Sequence, residues 1–313
     1  MNKPLGKHIS IVVPVFRSSQ TLPNLVKAID NTLKNSDYRY EIILVCDGSP
    51  DNSWNTICEL HSNTTNVVGI NLRKNVGQHN ALMAGLRHTK GNFVVTMDDD
   101  LQHNPSYIPA MIKKIEEGFD LVYAKFSSRE HSTWKIIGSK LNSLLARKLI
   151  GAPSDLYLSP FRAMSRDLCE EVIASTTPFL YLDGTILELN PKVVSIVVQH
   201  EPRVLGGSNY NLRKSISLAT RMATTYSILP LRLTTYLGIS MSIFSFLLGI
   251  LFIIQKLTID VMPIGWTSLI TALMMVSGLQ LFSIGVLGEY LGRLFRIANG
   301  QQQYHIKEIR GRD

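Results

Sequence analysis

Two stretches without a single charge dominate the last third of the chain. From Leu233 to Gln255 run 23 residues, LTTYLGISMSIFSFLLGILFIIQ, and from Val261 to Gly288 another 28, with only Lys256 and Asp260 between them. As α-helices rising 1.5 Å per residue they reach roughly 35 and 42 Å, against about 30 Å of bilayer hydrocarbon. Each is long enough to span a membrane, at about 233–255 and 264–288. Two buried core helices are the alternative, which a short connection holding Pro263 and Gly265 disfavours.

Charge placement supplies an orientation. The 313 residues carry 32 Lys+Arg and 24 Asp+Glu, a net of +8. Residues 200–232 hold five basic groups and one acidic, residues 289–313 five basic and three acidic, so most of the excess flanks the apolar region. The positive-inside rule then puts both flanks in the cytoplasm and the connector outside. Basic residues beside spans fit an anionic membrane surface rather than a nucleic-acid partner, which usually shows as a basic face on the folded domain. The run Ile9–Phe16 contains Pro14 and is too short for a secretory h-region, so residues 1–210 are expected to stay cytosolic. Residues 211–231 mix basic and apolar groups at helical spacing and read as an interfacial helix, with a domain-packing helix as the alternative. Residues 290–313 read as a basic cytosolic tail. Gly285, Gly288 and Gly292 offer close helix packing. Cys46, Cys58 and Cys169 form no CxxC pair, so neither a zinc ribbon nor a disulfide framework is indicated.

The first part of the chain alternates β-branched runs (Ile9–Phe16, Glu41–Asp47, Val67–Leu72, Asn92–Asp98) with helix-like stretches at 21–35, 52–62 and 78–89. This is the pattern of an α/β fold with a Rossmann-like, mostly parallel sheet covered on both faces. Ligands of such sheets bind beyond the carboxyl ends of the strands, and here those ends carry Pro14 to Ser18, Asp47-Gly48-Ser49 and Asp98-Asp99-Asp100. The glycine fingerprint of dinucleotide binding and the Walker P-loop are both missing from the sequence, which disfavours an oxidoreductase or NTPase. Asp98-Asp99-Asp100-Leu101-Gln102 is the most informative stretch. Carboxylates at i and i+2 after a strand can divide their work, one accepting ribose hydroxyl hydrogen bonds and the other holding a hard divalent cation against diphosphate oxygens. A solvated acidic turn is the alternative. The apolar run FVVTM leading straight into three like charges favours the cation, which relieves their repulsion.

At this point the chain resembles the inverting family-two glycosyltransferases of the GT-A fold, in their membrane-bound polyprenyl-phosphate branch, which includes dolichol-phosphate mannose synthase and bacterial undecaprenyl-phosphate sugar transferases. The resemblance rests on Pro14-Val15-Phe16, Asp47-Gly48-Ser49 with Asp51-Asn52-Ser53, Asn75-Val76-Gly77-Gln78-His79, Asp98-x-Asp100-Leu101-Gln102, Phe161-Arg162, Arg203-x-x-Gly206, Ser208, Tyr210 and Leu287-Gly288-Glu289-Tyr290 with Gly292-Arg293. It implies a nucleotide-sugar donor, expected to be UDP-linked, bound by Pro14, Val15, Phe16, Asp47, Gly77, Asp98 and Asp99. It also implies Mg²⁺ or Mn²⁺ on Asp100 and Gln102, and a polyprenyl (undecaprenyl) phosphate acceptor held by Arg129, Arg203, Ser208 and Arg213. The product would be a lipid-linked sugar for cell-envelope glycan such as lipopolysaccharide, made at the bacterial cytoplasmic membrane by a homo-oligomer, a tetramer being one form. The chain departs from the family at Ser18, often acidic, at Cys46, often Asp, and at Asp99, commonly Ala. Phe126 and Asn209 stand where the family has basic residues, with Lys125, Arg213 and Lys214 nearby.

A phosphate monoester is largely dianionic at neutral pH, so the acceptor scarcely needs a general base, and the chemical demand is electrostatic. Arg forks suit a phosphate, which makes Arg129, Arg162 and Arg203 candidates, all read as lying outside the strand core. Asp155 is a further candidate upstream of the Phe161-Arg162 pair. His79, His103 and His200 lack metal-ligand spacing and read as structural or solvated. Two other readings compete: a catalytically silent sugar-nucleotide-binding scaffold, and a processive polysaccharide synthase. The latter calls for a Gln-x-x-Arg-Trp motif that Trp54, Trp134 and Trp266 do not supply.

Overall fold

The computed structural model describes residues 7–126, 156–178, 180–199, 229–258 and 265–311. The chain divides into two compact units, Met1–Asn211 with Gln301–Asp313, and Leu212–Gly300.

The first unit is built on one sheet in the order β7-β5-β6-β4-β1-β2-β3-β8. Its centre consists of β1 (His8–Val15), β2 (Arg39–Cys46), β3 (Val67–Leu72) and β4 (Phe93–Thr96). These strands pair in parallel, with Val12 opposite both Ile43 and Thr96. Their near-continuous apolar sequences follow from burial on both faces. Helices α1 (Leu22–Leu33), α2 (Ser53–Asn63) and α4 (Ile108–Glu116) pack one face, and α3 (Gln78–Leu86), α5 (Arg166–Ile173) and α6 (Leu182–Glu188) the other. The α3 helix lies so close to the sheet that a Cβ at Gly85 would sit 2.3 Å from Val12 Cγ1. Beyond β4 the sheet turns mixed. Strand β6 (Arg162–Ser165) runs antiparallel to both β4 and β5 (Leu121–Phe126), and β5 pairs in parallel with β7 (Val193–Val198).

Two sequence expectations change here. Residues 290–313 are not a tail: after the helices the chain returns to the sheet as β8 (Ile306–Arg310), antiparallel to β3, with Ile70 opposite Ile309. Apolar Ile306 and Ile309, three residues apart in an otherwise charged segment, pack against the same core because the ladder shifts register between them, Leu72 pairing with Ile306 and Asn71 with Glu308. Before the strand, Gln303 is buried and its amide donates to the carbonyls of Ser175 (3.1 Å) and Thr177 (2.8 Å). Arg87 donates to the Tyr304 hydroxyl and to the Ile173 and Ser175 carbonyls. Arg162, in turn, lies inside the strand layer rather than outside it. It opens β6 opposite Thr96, 1% exposed, because it ion-pairs with the equally enclosed Asp183 of α6.

In the second unit, α7 (Leu229–Thr258) and α8 (Trp266–Ala298) are long apolar helices that touch each other. Leu231–Leu248, of mean hydropathy 1.4, is long and apolar enough to cross a membrane by length and composition. Large apolar side chains stand exposed along both helices, among them Ile243, Phe246, Leu273 and Phe282. Helix α8 continues past the expected end at 288, where Glu289 and Arg293 pair one turn apart (3.1 Å) and no proline intervenes before Asn299. The expected interfacial segment falls almost wholly on residues 201–228, outside the described residues.

Candidate active site

At the carboxyl ends of β1, β2 and β4, loops from each strand interlock. The β1 loop turns sharply at Arg17, whose φ is +60°. Its four successive amides are all bound by side chains of the other two loops. Phe16 N–H donates to Asp99 Oδ2 (3.1 Å), Arg17 N–H to Ser49 Oγ (2.8 Å), Ser18 N–H to Ser53 Oγ (3.1 Å) and Ser19 N–H to Asp51 Oδ2 (3.3 Å). Asp51 is itself held by the hydroxyls of Ser49 and Ser53. Burial opposes its charge, yet those hydroxyls and the amides of Ser53 and Ser19 together keep its carboxyl well below the usual range. Pro14 and Val15 are buried within β1, so of the Pro14-Val15-Phe16 run only Phe16 opens to solvent, 42% exposed, with the Arg17 guanidinium 5.4 Å from its ring centre. An aromatic face beside a guanidinium suits a nucleobase.

Asp47 ends β2 almost enclosed, 3% exposed. Its carboxylate accepts the amides of Val76 (2.8 Å) and Gly77 (2.9 Å), while its carbonyl accepts the Asn75 side chain. Burial outweighs those two amide bonds and pushes its pKa up. The residue thus builds the loop ahead of α3 rather than offering a free carboxylate to a base. Gly77 takes a φ of +87°, a conformation glycine adopts without strain, and so presents its amide to Asp47. Gly48 allows the two loops to meet, since a Cβ there would lie 2.5 Å from the Asn75 amide nitrogen.

The three consecutive carboxylates point to three different places. Asp98 Oδ1 accepts the Gln78 side-chain amide at 2.6 Å, and its N–H donates to His103 Nδ1. Asp99 reaches the β1 loop. Asp100 Oδ1 accepts Gln102 N–H at 3.2 Å, across Leu101, which adopts a φ of +62°. Among the described residues no group of three His, Cys, Asp or Glu side chains gathers as a metal cage. Asp100 and Gln102 share one turn and are partly accessible.

Behind the Asp98–Gln102 loop, at the end of β4, lies a buried polar network. Arg162 donates to Asp183 and to Thr96 Oγ1, Tyr123 OH donates to Asp183 Oδ1 (2.7 Å), and Thr96 Oγ1 donates to the Pro160 carbonyl. His79 packs edge-on against Tyr181, and burial lowers its pKa to about 4. His103 stacks on Phe161. Both histidines are packed into the domain rather than solvated. Gln78, Thr96, Tyr123 and Asp183 were not singled out by sequence as site residues. Gln78 lay within a quoted motif, but Asp183, 21 residues from Arg162, carried no local signal. Arg129, Asp155, Arg203, Ser208 and Arg213 fall outside the described residues, as does His200.

A Rossmann-like sheet with an Asp-x-Asp loop hydrogen-bonded between the β1 loop and α3 is the GT-A fold. Residues 10–173 match the model of glycosyl transferase family 2 and residues 229–294 that of the GtrB C-terminal hairpin. The chain belongs to glycosyltransferase family 2. It is 31% identical over 306 residues, 97% of this chain and 94% of the relative, to undecaprenyl-phosphate 4-deoxy-4-formamido-L-arabinose transferase of Proteus mirabilis (strain HI4320). Against the protein of the same name from Klebsiella pneumoniae (strain 342) it is 29% identical, over 98% of this chain and 94% of that one. Among solved structures, glucosyl-3-phosphoglycerate synthase from Mycobacterium tuberculosis, in complex with Mn²⁺, UDP and phosphoglyceric acid, superposes with a TM-score of 0.50 at 20% identity. The overlap covers 70% of this chain and 77% of that one, and bears out the fold.

Proposed function

We propose that this protein transfers a sugar from a uridine diphosphate donor to undecaprenyl phosphate at the cytoplasmic face of a bacterial membrane. The observation that carries the reading is the Asp98–Gln102 loop, hydrogen-bonded on one side to Gln78 and on the other to the β1 loop, in a chain that also holds the two apolar helices. The names of the relatives support the acceptor. In the reaction a phosphate oxygen of the lipid bonds to the anomeric carbon from the face opposite the diphosphate. The bond from that carbon to the diphosphate oxygen breaks, and its electron pair leaves with UDP. No proton has to be removed from a dianionic phosphate. Asp183, tied to Arg162 and Tyr123, is accordingly a member of the buried network rather than a base. A divalent cation on Asp100 and Gln102 would offset the charge that grows on the departing diphosphate. Asp98, oriented by Gln78, faces the ribose, and Phe16 with Arg17 takes the base. Arg129, Arg203, Ser208 and Arg213 hold the acceptor phosphate.

The sheet supports the topology. Because β8 pairs with β3, the segments before α7 and after α8 belong to one folded unit, and a membrane between them would have to be crossed an even number of times. Two crossings by α7 and α8 meet that condition, and the basic flanks orient both ends to the cytoplasm. A polyprenyl chain costs about 0.8 kcal/mol per CH₂ to withdraw from lipid, so the enzyme has to come to the surface where the phosphate sits. The test is the full-length protein in vesicles containing undecaprenyl phosphate, supplied with Mn²⁺ or Mg²⁺ and a panel of UDP-, GDP- and dTDP-sugars. Lipid-extractable sugar from a UDP donor is expected, and none from any donor overturns the proposal.

A further inference from the structure

The middle carboxylate, Asp99, stands between the two residues that flank it in sequence yet faces away from both of their partners. The register explains why. Parallel pairing sets Val12 opposite Thr96, so the first residue past β1, Phe16, and the third residue past β4, Asp99, emerge side by side. Asp99 Oδ2 accepts the Phe16 amide at 3.1 Å, and within the same loop the Ser18 hydroxyl donates to the Phe16 carbonyl. The next three amides of the same loop are held by Ser49, Ser53 and Asp51, all from the β2 loop. Asp99 therefore contributes the one clamp in this series of amides that comes from the Asp98–Gln102 side.

We infer that Asp99 is a positioning residue, which ties the β1 loop to the Asp98–Gln102 loop so that Phe16 and Arg17 are held open for the nucleoside of the donor. It is not a ligand of the cation. This assignment rests on the donor-site reading above and adds to it the residue that sets the base-binding loop. The geometry supports this: Asp99 Oδ2 is aligned on the Phe16 amide of the β1 loop, whereas Asp100 Oδ1 faces Gln102, and a full swing of Asp99 toward Asp100 and Gln102 would free that amide. The strained turn at Arg17, φ +60°, gives the loop a reason to need such a clamp, because a non-glycine residue in that conformation persists only where its surroundings impose it.

The experiment separates the two roles of a carboxylate. Binding of UDP to the full-length protein in detergent is measured by calorimetry in EDTA, binding of Mn²⁺ alone by electron paramagnetic resonance, and protection of the 16–19 amides by hydrogen exchange. Asp99→Ala is expected to weaken metal-free UDP binding about tenfold to a hundredfold, the loss of one charge-assisted hydrogen bond. Asp99→Asn keeps an acceptor for the Phe16 amide and should stay within about threefold of the parent in UDP binding, with the 16–19 amides still protected. In both variants Mn²⁺ affinity should fall less than about fivefold, the loss of a nearby but uncoordinated charge. Should Asp99→Ala fail to fold, the Asn variant alone decides. A Mn²⁺ affinity lowered as far by Asp99→Asn as by Asp100→Asn, with 16–19 protection intact, overturns the assignment. So does a parent protein that binds UDP and an Asp99→Ala variant that binds it equally. A parent protein that binds none of UDP, GDP and dTDP overturns the donor-site reading itself, and this assignment with it.

Discussion

Replacing Arg162 by Met removes the guanidinium at the centre of the buried polar network behind the Asp98–Gln102 loop. Arg162 is 1% exposed and Asp183 6%, and the ion pair between them is backed by Tyr123 OH on Asp183 (2.7 Å) and by Thr96 Oγ1 on Arg162 Nε (3.2 Å). The guanidinium also lies 5.7 Å from the centre of the Tyr123 ring. Met fills much of the volume, so the cost is electrostatic. It leaves an uncompensated carboxylate in a dry interior, which destabilises by about 3–5 kcal/mol. At about 2–4 °C per kcal/mol for a domain of this size, Tm should fall roughly 6–20 °C. The double variant Arg162→Met, Asp183→Leu removes both charges and should recover at least about half of that loss, since a buried pair is often replaceable by apolar groups at little net cost. Thermal unfolding of the detergent-solubilised protein, followed by intrinsic fluorescence, reads both. An Arg162→Met protein melting within about 2 °C of the parent, or a double variant no more stable than the single, refutes the argument that the pair is a buried structural support.

Three further outcomes follow from other parts of the molecule. His79 is held neutral, at about 4, chiefly by burial, so between its usual 6.5 and that value the unfolded chain binds the extra proton. Stability should therefore be flat above about pH 6.5 and decline as pH falls toward 4. The ceiling is about 1.4 kcal/mol per pH unit, less here because the ring is still partly accessible, and His79→Gln should flatten the profile. Gln303→Ala leaves the Ser175 and Thr177 carbonyls without that amide and should cost about 1–3 kcal/mol, read in the same melt, while deletion of 301–313 should expose the domain to limited proteolysis; unchanged cleavage would contradict the integral role given to β8. In intact cells a membrane-impermeant maleimide should label a cysteine placed at Asp260 and should not label one at Gln302 until the membrane is permeabilised. The reverse pattern would contradict the orientation.

The parallel core was legible because burial on both faces leaves β1 to β4 as uninterrupted apolar runs, and helix-period stretches fall between them. The Asp98–Gln102 loop was legible because its chemistry sits in five adjacent residues. What was not legible depends on pairing over long separations. Arg162 is a cation that reads from sequence as lying outside the strand core, and Asp183, placed by α6, with Thr96 makes its burial tolerable. The final strand has a mere five residues, IKEIR, three of them charged, and its place beside β3 is fixed by Ile306 and Ile309 against the α3 side of the sheet. The Asp47 carboxylate looked available for a ligand, whereas the left-handed Gly77 delivers an amide to it.

The central claim is that this crevice places a sugar on a lipid phosphate, and the most direct measurement is mass spectrometry of the organic-phase extract. The reaction contains full-length protein, a UDP-sugar, undecaprenyl phosphate and Mn²⁺. The account requires a species equal to undecaprenyl phosphate plus one glycosyl residue, formed with release of one UDP, and lowered about 10²–10³-fold or more when Asp100 is replaced by Ala. UDP release with no glycosylated lipid, or undiminished lipid product from the Asp100→Ala protein, would contradict it.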